Sequence, residues 1–286
     1  MLRKFLIKYR RIYIMNEKEF GLIERDVVGE DVVIGLALTP EEKTGRLEVV
    51  TERYIREGYL QGVPFARLNL EAEEVLSDGG FEKLEKELEE DIFRKFLEEG
   101  LLLRFKGEEV LYLDKYHWQS AQFVARTREG YVGSVRIIID DKEGTIPTFQ
   151  LPTLADREIK INEECFEKVH TVPAELSQFA KVKHAPPTVA FGLLRIAAQY
   201  SRALGIKDWL ATTDNQVVKM LNGFAFNFDL PKIGPSVRYL GSDSTPVYID
   251  IEESIDNAAR KESSKNMAAF LRGNDDVEGF EWYTGI

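Results

Sequence analysis

The pattern of apolar and polar positions divides the chain into short β-branched runs and longer amphipathic stretches. The run Val32 to Leu38 predicts a strand. It stops at Thr39-Pro40-Glu41-Glu42, which predicts a helix start with Thr39 as N-cap, Pro40 at the first position and Glu42 reaching back as in a capping box. That helix carries Leu47, Val50, Tyr54 and Ile55 at helical spacing and should end near Gly58. The stretch from 59 to 110 is less legible. Within it, Phe81 to Gly100 predicts one acidic helix with Leu84, Leu88, Ile92, Phe93 and Phe96 on one stripe and its charges on a solvated face.

From Gln122 the period shortens to two. Gln122 to Arg126 and Tyr131 to Ile139 predict a hairpin turning at Glu129-Gly130, and Ala174 to Val182 alternates as a half-buried strand does. Thr188 to Leu204 predicts a helix with Val189, Leu193, Ile196 and Tyr200 on its inner face, closed by Gly205. A strand at Trp209 to Thr213 and a short helix from Asn215 to Asn222, ended by Gly223, come next. Strands at Phe224 to Phe228, Val237 to Leu240 and Val247 to Ile251 follow. The tail from about 254 reads as polar, with one amphipathic turn at Met267 to Leu271.

Composition narrows the class. With 44% hydrophobic and 11% aromatic residues, the chain can bury a full core. A formal net charge of -11 argues against nucleic acid as a partner, because phosphate binding wants clustered Lys and Arg. The lone Cys165 excludes an intrachain disulfide, and no run is long and apolar enough to span a membrane, so a cytoplasmic protein is expected. The basic N-terminal stretch is interrupted by Lys8, Arg10 and Arg11, and the folded pattern starts only after Met15, which predicts Met15 as the natural start. No metal-spaced cluster is present, so no metal is expected.

Several short motifs fall in a shared order. Glu175-Leu-Ser-Gln-Phe-Ala180 resembles the Glu-x-Ser-Arg-Phe/Leu-Ala strand of two branches of the GNAT acyltransferases, the acyl-homoserine-lactone synthases and the long-chain N-acyl amino acid synthases. Gly133-Ser-Val-Arg136 resembles their Gly-Thr-x-Arg strand. Glu52-Arg-Tyr54 through Glu57-Gly-Tyr59 is similar to the end of their first helix. Asp114 to Phe123 is similar to the segment leading into their second strand, and Ile233-Gly-Pro-Ser-Val-Arg-Tyr239 to the late Ile-Gly-Pro segment of the N-acyl amino acid branch. Gln178 stands where those families carry Arg, which puts a charge-pairing role there in doubt.

The resemblance implies one α/β domain over 1–286, with a central twisted mixed sheet flanked by helices. Its core would span about 32–58 and 110–251, with an insertion at 59–110 that shapes an acyl or acceptor pocket. The sheet should open between the strand at 174–182 and its neighbour at 208–212. The implied activity is transfer of a long-chain acyl group from a carrier thioester to an amino-acid-like amine, with acyl carrier protein or coenzyme A as carrier and no bound cofactor.

Such a transfer must take a proton from the amine, stabilise a tetrahedral oxyanion and release a thiolate. By position and resemblance Glu175 is the candidate for the first task. The alternative is a structural carboxylate paired with Arg136, which itself either touches substrate or serves as a buried counter-ion. Ser177 would hydrogen-bond the pantetheine arm or the leaving sulfur, or be a structural hydroxyl. Backbone N–H groups from Phe179 through Ala180 to Lys181 would meet the oxyanion.

The turn Lys181-Val-Lys-His-Ala-Pro-Pro-Thr188 holds no glycine, and its two prolines lack N–H donors, so a tight pyrophosphate cradle is not expected there. That favours acyl carrier protein, which offers a single phosphate. Lys181, Lys183 and His184, with Arg195 and Arg202 on one helix face, would make its basic patch, unless they are ordinary surface charge. The competing readings are a GNAT-fold protein that binds acyl groups or a partner without turnover, and an acyl- or acetyl-coenzyme-A-dependent enzyme.

Overall fold

The computed structural model describes residues 26–27, 32–140, 150–186, 188–274 and 277–278. The reading of the basic N-terminal stretch, with Met15 as the start, lies outside the described residues, as does Pro187 of the proline turn.

Strands β1 (Asp26–Val27) and β2 (Val33–Leu36) lead to helix α1 (Pro40–Arg56). The start of α1 is as its sequence dictates: Thr39 Oγ1 accepts from Glu42 N–H at 3.2 Å, while Glu42 Oε2 accepts from Thr39 N–H at 3.1 Å. A small unit follows, made of β3 (Phe65–Arg67), α2 (Ala72–Leu76), α3 (Gly80–Glu87), α4 (Glu90–Glu99), β4 (Leu101–Arg104) and β5 (Val110–Leu113). The single helix expected over Phe81 to Gly100 is therefore two, because Leu88 is extended and ends α3. The apolar stripe nonetheless packs as read, with Leu84 and Phe96 buried in a core shared with Leu103 and Leu111.

Strands β6 (Ser120–Thr127) and β7 (Gly130–Ile139) form the expected hairpin. After α5 (Pro152–Ala155) and α6 (Phe166–Val169) come β8 (Ala174–Lys181), α7 (Thr188–Ala203), β9 (Asp208–Asp214) and α8 (Asn215–Leu221). Residues 224–226 form a turn and 227–228 are irregular instead of the expected strand, with Phe226 N–H bonded back to Gly223 O. The hairpin of β10 (Val237–Tyr239) and β11 (Ser242–Asp250) follows. The segment read as a polar tail carries α9 (Ile251–Ala259), capped by Asp250, and α10 (Lys265–Leu271). Met267, Ala268, Phe270 and Leu271 of α10 join the main core.

The main sheet has eight strands in the order β1-β2-β6-β7-β8-β9-β11-β10. Every pairing is antiparallel except β8 with β9. This is a mixed sheet flanked by helices: α1 contributes Val49 and Val50 to one side, and α7 contributes Val189, Leu193 and Ile196 to the other. Strands β8 and β9 are neighbours, as expected, and pair through Glu175 and Leu210 alone before they diverge. No helix among the described residues is long and apolar enough to cross a membrane.

Gly133 shows why the Gly-Ser-Val-Arg strand begins with glycine. A Cβ there would lie 2.4 Å from Val189 Cγ1 and 3.0 Å from Leu193 Cδ1. Gly133→Ala is expected to destabilise the fold by about 1–3 kcal/mol through overpacking. The check is a urea midpoint that falls at unchanged slope.

Candidate active site

The split between β8 and β9 opens a cleft of about 1100 Å³. One arm is apolar: Leu194, Ala211, Leu221, Val247 and Ile249 belong to the main core, and Val217 packs against it. The other arm is polar and aromatic, lined by Asp114, Arg136, Glu175 and the tyrosines Tyr54, Tyr59, Tyr112, Tyr116 and Tyr239. Tyr54 meets Tyr59 edge to face at 5.5 Å and Tyr112 at 5.6 Å. Burial holds the Tyr54 hydroxyl up at about 12 and Tyr112 well above its ordinary value, so both stay protonated, and Tyr112 donates to Glu99 O at 3.2 Å.

Glu175 sits on β8, where the strand still pairs with β9, and is 3% exposed. Its Oε2 accepts from Thr153 N–H at 2.9 Å and its Oε1 from Thr153 Oγ1 at 3.0 Å. Burial raises its carboxyl from 4.5 to about 7, opposed by the two Thr153 hydrogen bonds and the Arg136 charge. A carboxylate near 7 can both accept and return a proton at neutral pH.

Arg136 does not pair with Glu175. Its Nη1 and Nη2 donate to Asp114 Oδ1 and Oδ2 at 2.7 and 2.6 Å, a fork on a fork with both partners buried. Burial opposes the Arg136 charge, yet Asp114 holds its proton above the ordinary guanidinium range. Asp114 stands out in the sequence only as the first residue of a motif. Its backbone closes β5, and its Oδ1 caps the following 3₁₀ turn by accepting from Tyr116 N–H at 3.0 Å.

A second buried guanidinium was also missed. Arg46 of α1 is 0% exposed; its Nη1 donates to Gln178 Oε1 at 2.7 Å and to Ser134 Oγ at 3.3 Å. Gln178 Nε2 in turn donates to Asp114 Oδ2 at 3.3 Å. The neutral amide of Gln178 thus bridges a cation and an anion, and the charge its position lacks comes from α1. Burial, with Arg136 adding to it, pulls Arg46 down to about 9, and its Nε and Nη2 find no hydrogen-bond partner among the described residues. The signal was present: Arg46 lies four residues before Val50 and eight before Tyr54, on the apolar stripe.

The strand is broken beside these residues. The β7–β8 register runs Arg136 opposite Ser177 and then Ser134 opposite Ala180, so Gln178 and Phe179 both face Val135. Gln178 takes a left-handed φ of 50°, uncommon for a side chain that is not glycine. Ser177 lines the cleft and accepts from Arg136 Nη2 at 3.4 Å. Phe179 lines it too, and Ala180 is buried behind it.

The basic patch is smaller than the sequence implied. Lys183 and His184 are exposed, whereas Lys181 Nζ turns back to Ala185 O at 2.9 Å. Arg195 is not surface charge: it is 4% exposed, with its guanidinium 4.7 Å over the Phe270 ring. Arg202 bonds Glu252 and Leu271 O. Helix α9, absent from the sequence reading, and α10, read there only as one amphipathic turn, cover that face.

No protein-family model and no curated protein sequence matches the chain. Among solved structures it is similar to FeeM, an N-acyl amino acid synthase from uncultured soil microbes, at 15% identity over 79% of this chain and 94% of that one, with a TM-score of 0.46. It is similar to LasI, an acyl-homoserine-lactone synthase, at 18% identity over 49% and 69%, with a TM-score of 0.36. A third is BjaI, a coenzyme-A-dependent acyl-homoserine lactone synthase, at 13% identity over 57% and 69%, with a TM-score of 0.38.

Proposed function

We propose that the chain is a cytoplasmic GNAT-type N-acyltransferase that moves a long-chain acyl group from acyl carrier protein to the amine of an amino-acid-like acceptor. The observation that carries this reading is Glu175, a buried carboxylate raised to about 7 at the point where the sheet divides an apolar arm from a polar one. The acyl chain would fill the apolar arm, and the acceptor the tyrosine-lined arm.

In the reaction the amine loses a proton toward Glu175, and its lone pair attacks the thioester carbon. The oxyanion is met by backbone N–H groups at the Gln178–Phe179 bulge, where the ladder is interrupted. The attack forms the C–N bond; collapse of the oxyanion restores the C=O and breaks C–S, and the thiolate leaves and takes up the proton, with Ser177 as the hydroxyl that would hydrogen-bond the sulfur. Arg136 and Asp114 fix the wall of the acceptor arm. The donor is assigned to acyl carrier protein because the turn after β8 lacks glycine and contains Pro186. Lys183 and His184 are the exposed basic side chains beside it.

Two other readings remain to be separated by experiment: an acyl-coenzyme-A-dependent enzyme, and a binding protein without turnover, favoured by Gln178 in place of arginine. The purified chain is incubated with long-chain acyl carrier protein or acyl-coenzyme A and a mixture of amino acids, and products are read by mass spectrometry. N-acyl amino acids formed faster from the carrier protein are expected. Faster turnover from coenzyme A would move the donor assignment, and acyl-donor binding with no product would leave only the binding protein.

A further inference from the structure

Thr153 gives both of its donors to Glu175, and its hydroxyl oxygen lies 2.8 Å from Thr212 Oγ1. Thr153 is 0% exposed and does not line the cleft, whereas Thr212, on β9, is half-buried and does. The directions of these bonds follow from counting protons. An ionised carboxylate only accepts, so the single hydroxyl proton of Thr153 goes to Glu175. The Thr153 oxygen is then an acceptor, so the Thr212 proton goes to Thr153. Thr212 is left with lone pairs and no proton to spare, on the side of the cleft.

We infer that Thr212 and Thr153 form a proton relay, in which Thr212 takes the acceptor's proton from the cleft and Thr153 hands one on to Glu175. The inference rests on the N-acyltransfer reading and adds a catalytic residue, Thr212, and a positioning residue, Thr153. The step balances as three concerted transfers. The N–H bond of the acceptor breaks and an O–H bond forms on Thr212. The former Thr212 proton moves to Thr153 Oγ1, and the former Thr153 proton moves to Glu175 Oε1. The amine keeps the electron pair, both threonines end neutral, and Glu175 ends protonated. All three bonds then point the other way, so the reverse shift returns the proton toward the cleft once the thiolate needs it. The arrangement explains how a carboxyl group with 3% exposure serves a substrate. It also explains why a hydroxyl on β9, across the split, is held against a buried one on α5.

The test uses the full chain, with Thr212→Val, which keeps shape and removes the relay, and Thr212→Ser, which restores a hydroxyl. Turnover of Thr212→Val is expected to fall by about 10- to 100-fold, at the low end of what general-base assistance is worth, and Thr212→Ser to recover most of it. The number of protons in flight is read from rates in mixtures of light and heavy water. The dependence should be curved in the wild type and Thr212→Ser, and linear in Thr212→Val, a change that loss of packing alone would not give. Wild-type turnover and curvature in a folded Thr212→Val, with Glu175→Gln inactive, would overturn the relay and leave N-acyltransfer standing. A wild-type chain that binds acyl donor and makes no N-acyl product would overturn both.

Discussion

Glu175→Gln is expected to lower turnover by about 10²- to 10⁴-fold, the usual worth of a general base, while the protein stays folded. Glutamine keeps the shape of the side chain and still accepts one of the Thr153 hydrogen bonds. Because burial raises the carboxyl to about 7, wild-type activity should rise with pH through that value as the base ionises, and the variant's residual rate should lack this rise. Stability moves the opposite way. The folded state holds the Glu175 proton more tightly than the unfolded state does, so this group's contribution is full below 4.5 and is lost as pH climbs toward 7. The variant should not show that decline. Rate and melting temperature measured across this range on both proteins check the two halves together, and an unchanged rate in a folded Glu175→Gln would end the catalytic assignment.

Asp114→Asn is the second large effect, and it acts on folding. Asp114 is the shared anion of Arg136, which it binds directly, and of Arg46, which it reaches through Gln178. Removing its charge leaves two buried guanidinium groups facing each other. A loss of about 3–5 kcal/mol is expected, the cost of breaking a buried pair from one side. Removing both ends with Asp114→Leu and Arg136→Met is expected to cost less than either charge left alone, because no buried ion of the pair remains. Denaturant titration of the single and paired variants decides it, and a midpoint unchanged in Asp114→Asn would show that the pair is not structurally important.

Much of this architecture was legible because its signals are local. Thr39, Pro40 and Glu42 fix the start of α1 within four residues, the hairpin turns at Arg128-Glu129, one residue before the expected Glu129-Gly130, and the spacing of Val189, Leu193 and Ile196 fixes the buried face of α7. What escaped was set by partners distant in sequence. Thr153 is 22 residues from Glu175, and Arg46 is 132 from Gln178. No periodicity links such pairs. The segment at 224–228 misled because an alternation of Phe with small and polar residues matches a strand, although Phe226 and Phe228 reach the core without forming one. The tail misled in the opposite sense. Its many charged residues made the stripe Met267, Phe270 and Leu271 read as a single turn instead of a core helix, and so hid the burial of Arg195.

The unit from β3 to β5 has a consequence for how this protein can change over generations. It encloses its own apolar cluster, in which Val75, Leu84, Phe96, Leu103 and Leu111 pack together, anchored on the main body by Leu47 of α1. Yet its edge supplies Phe96, Leu97 and Tyr112 to the cleft wall, and its last strand runs straight into Asp114. The apolar arm of the cleft draws instead on the main core, from residues such as Leu194, Leu221 and Ile249. Substitutions in two clusters without shared neighbours add nearly independently. If the polar wall receives the acceptor and the apolar wall the acyl chain, as proposed, a lineage can drift in the first while the second is inherited unchanged, so diversity among descendants should collect in what is acylated before it collects in what is transferred.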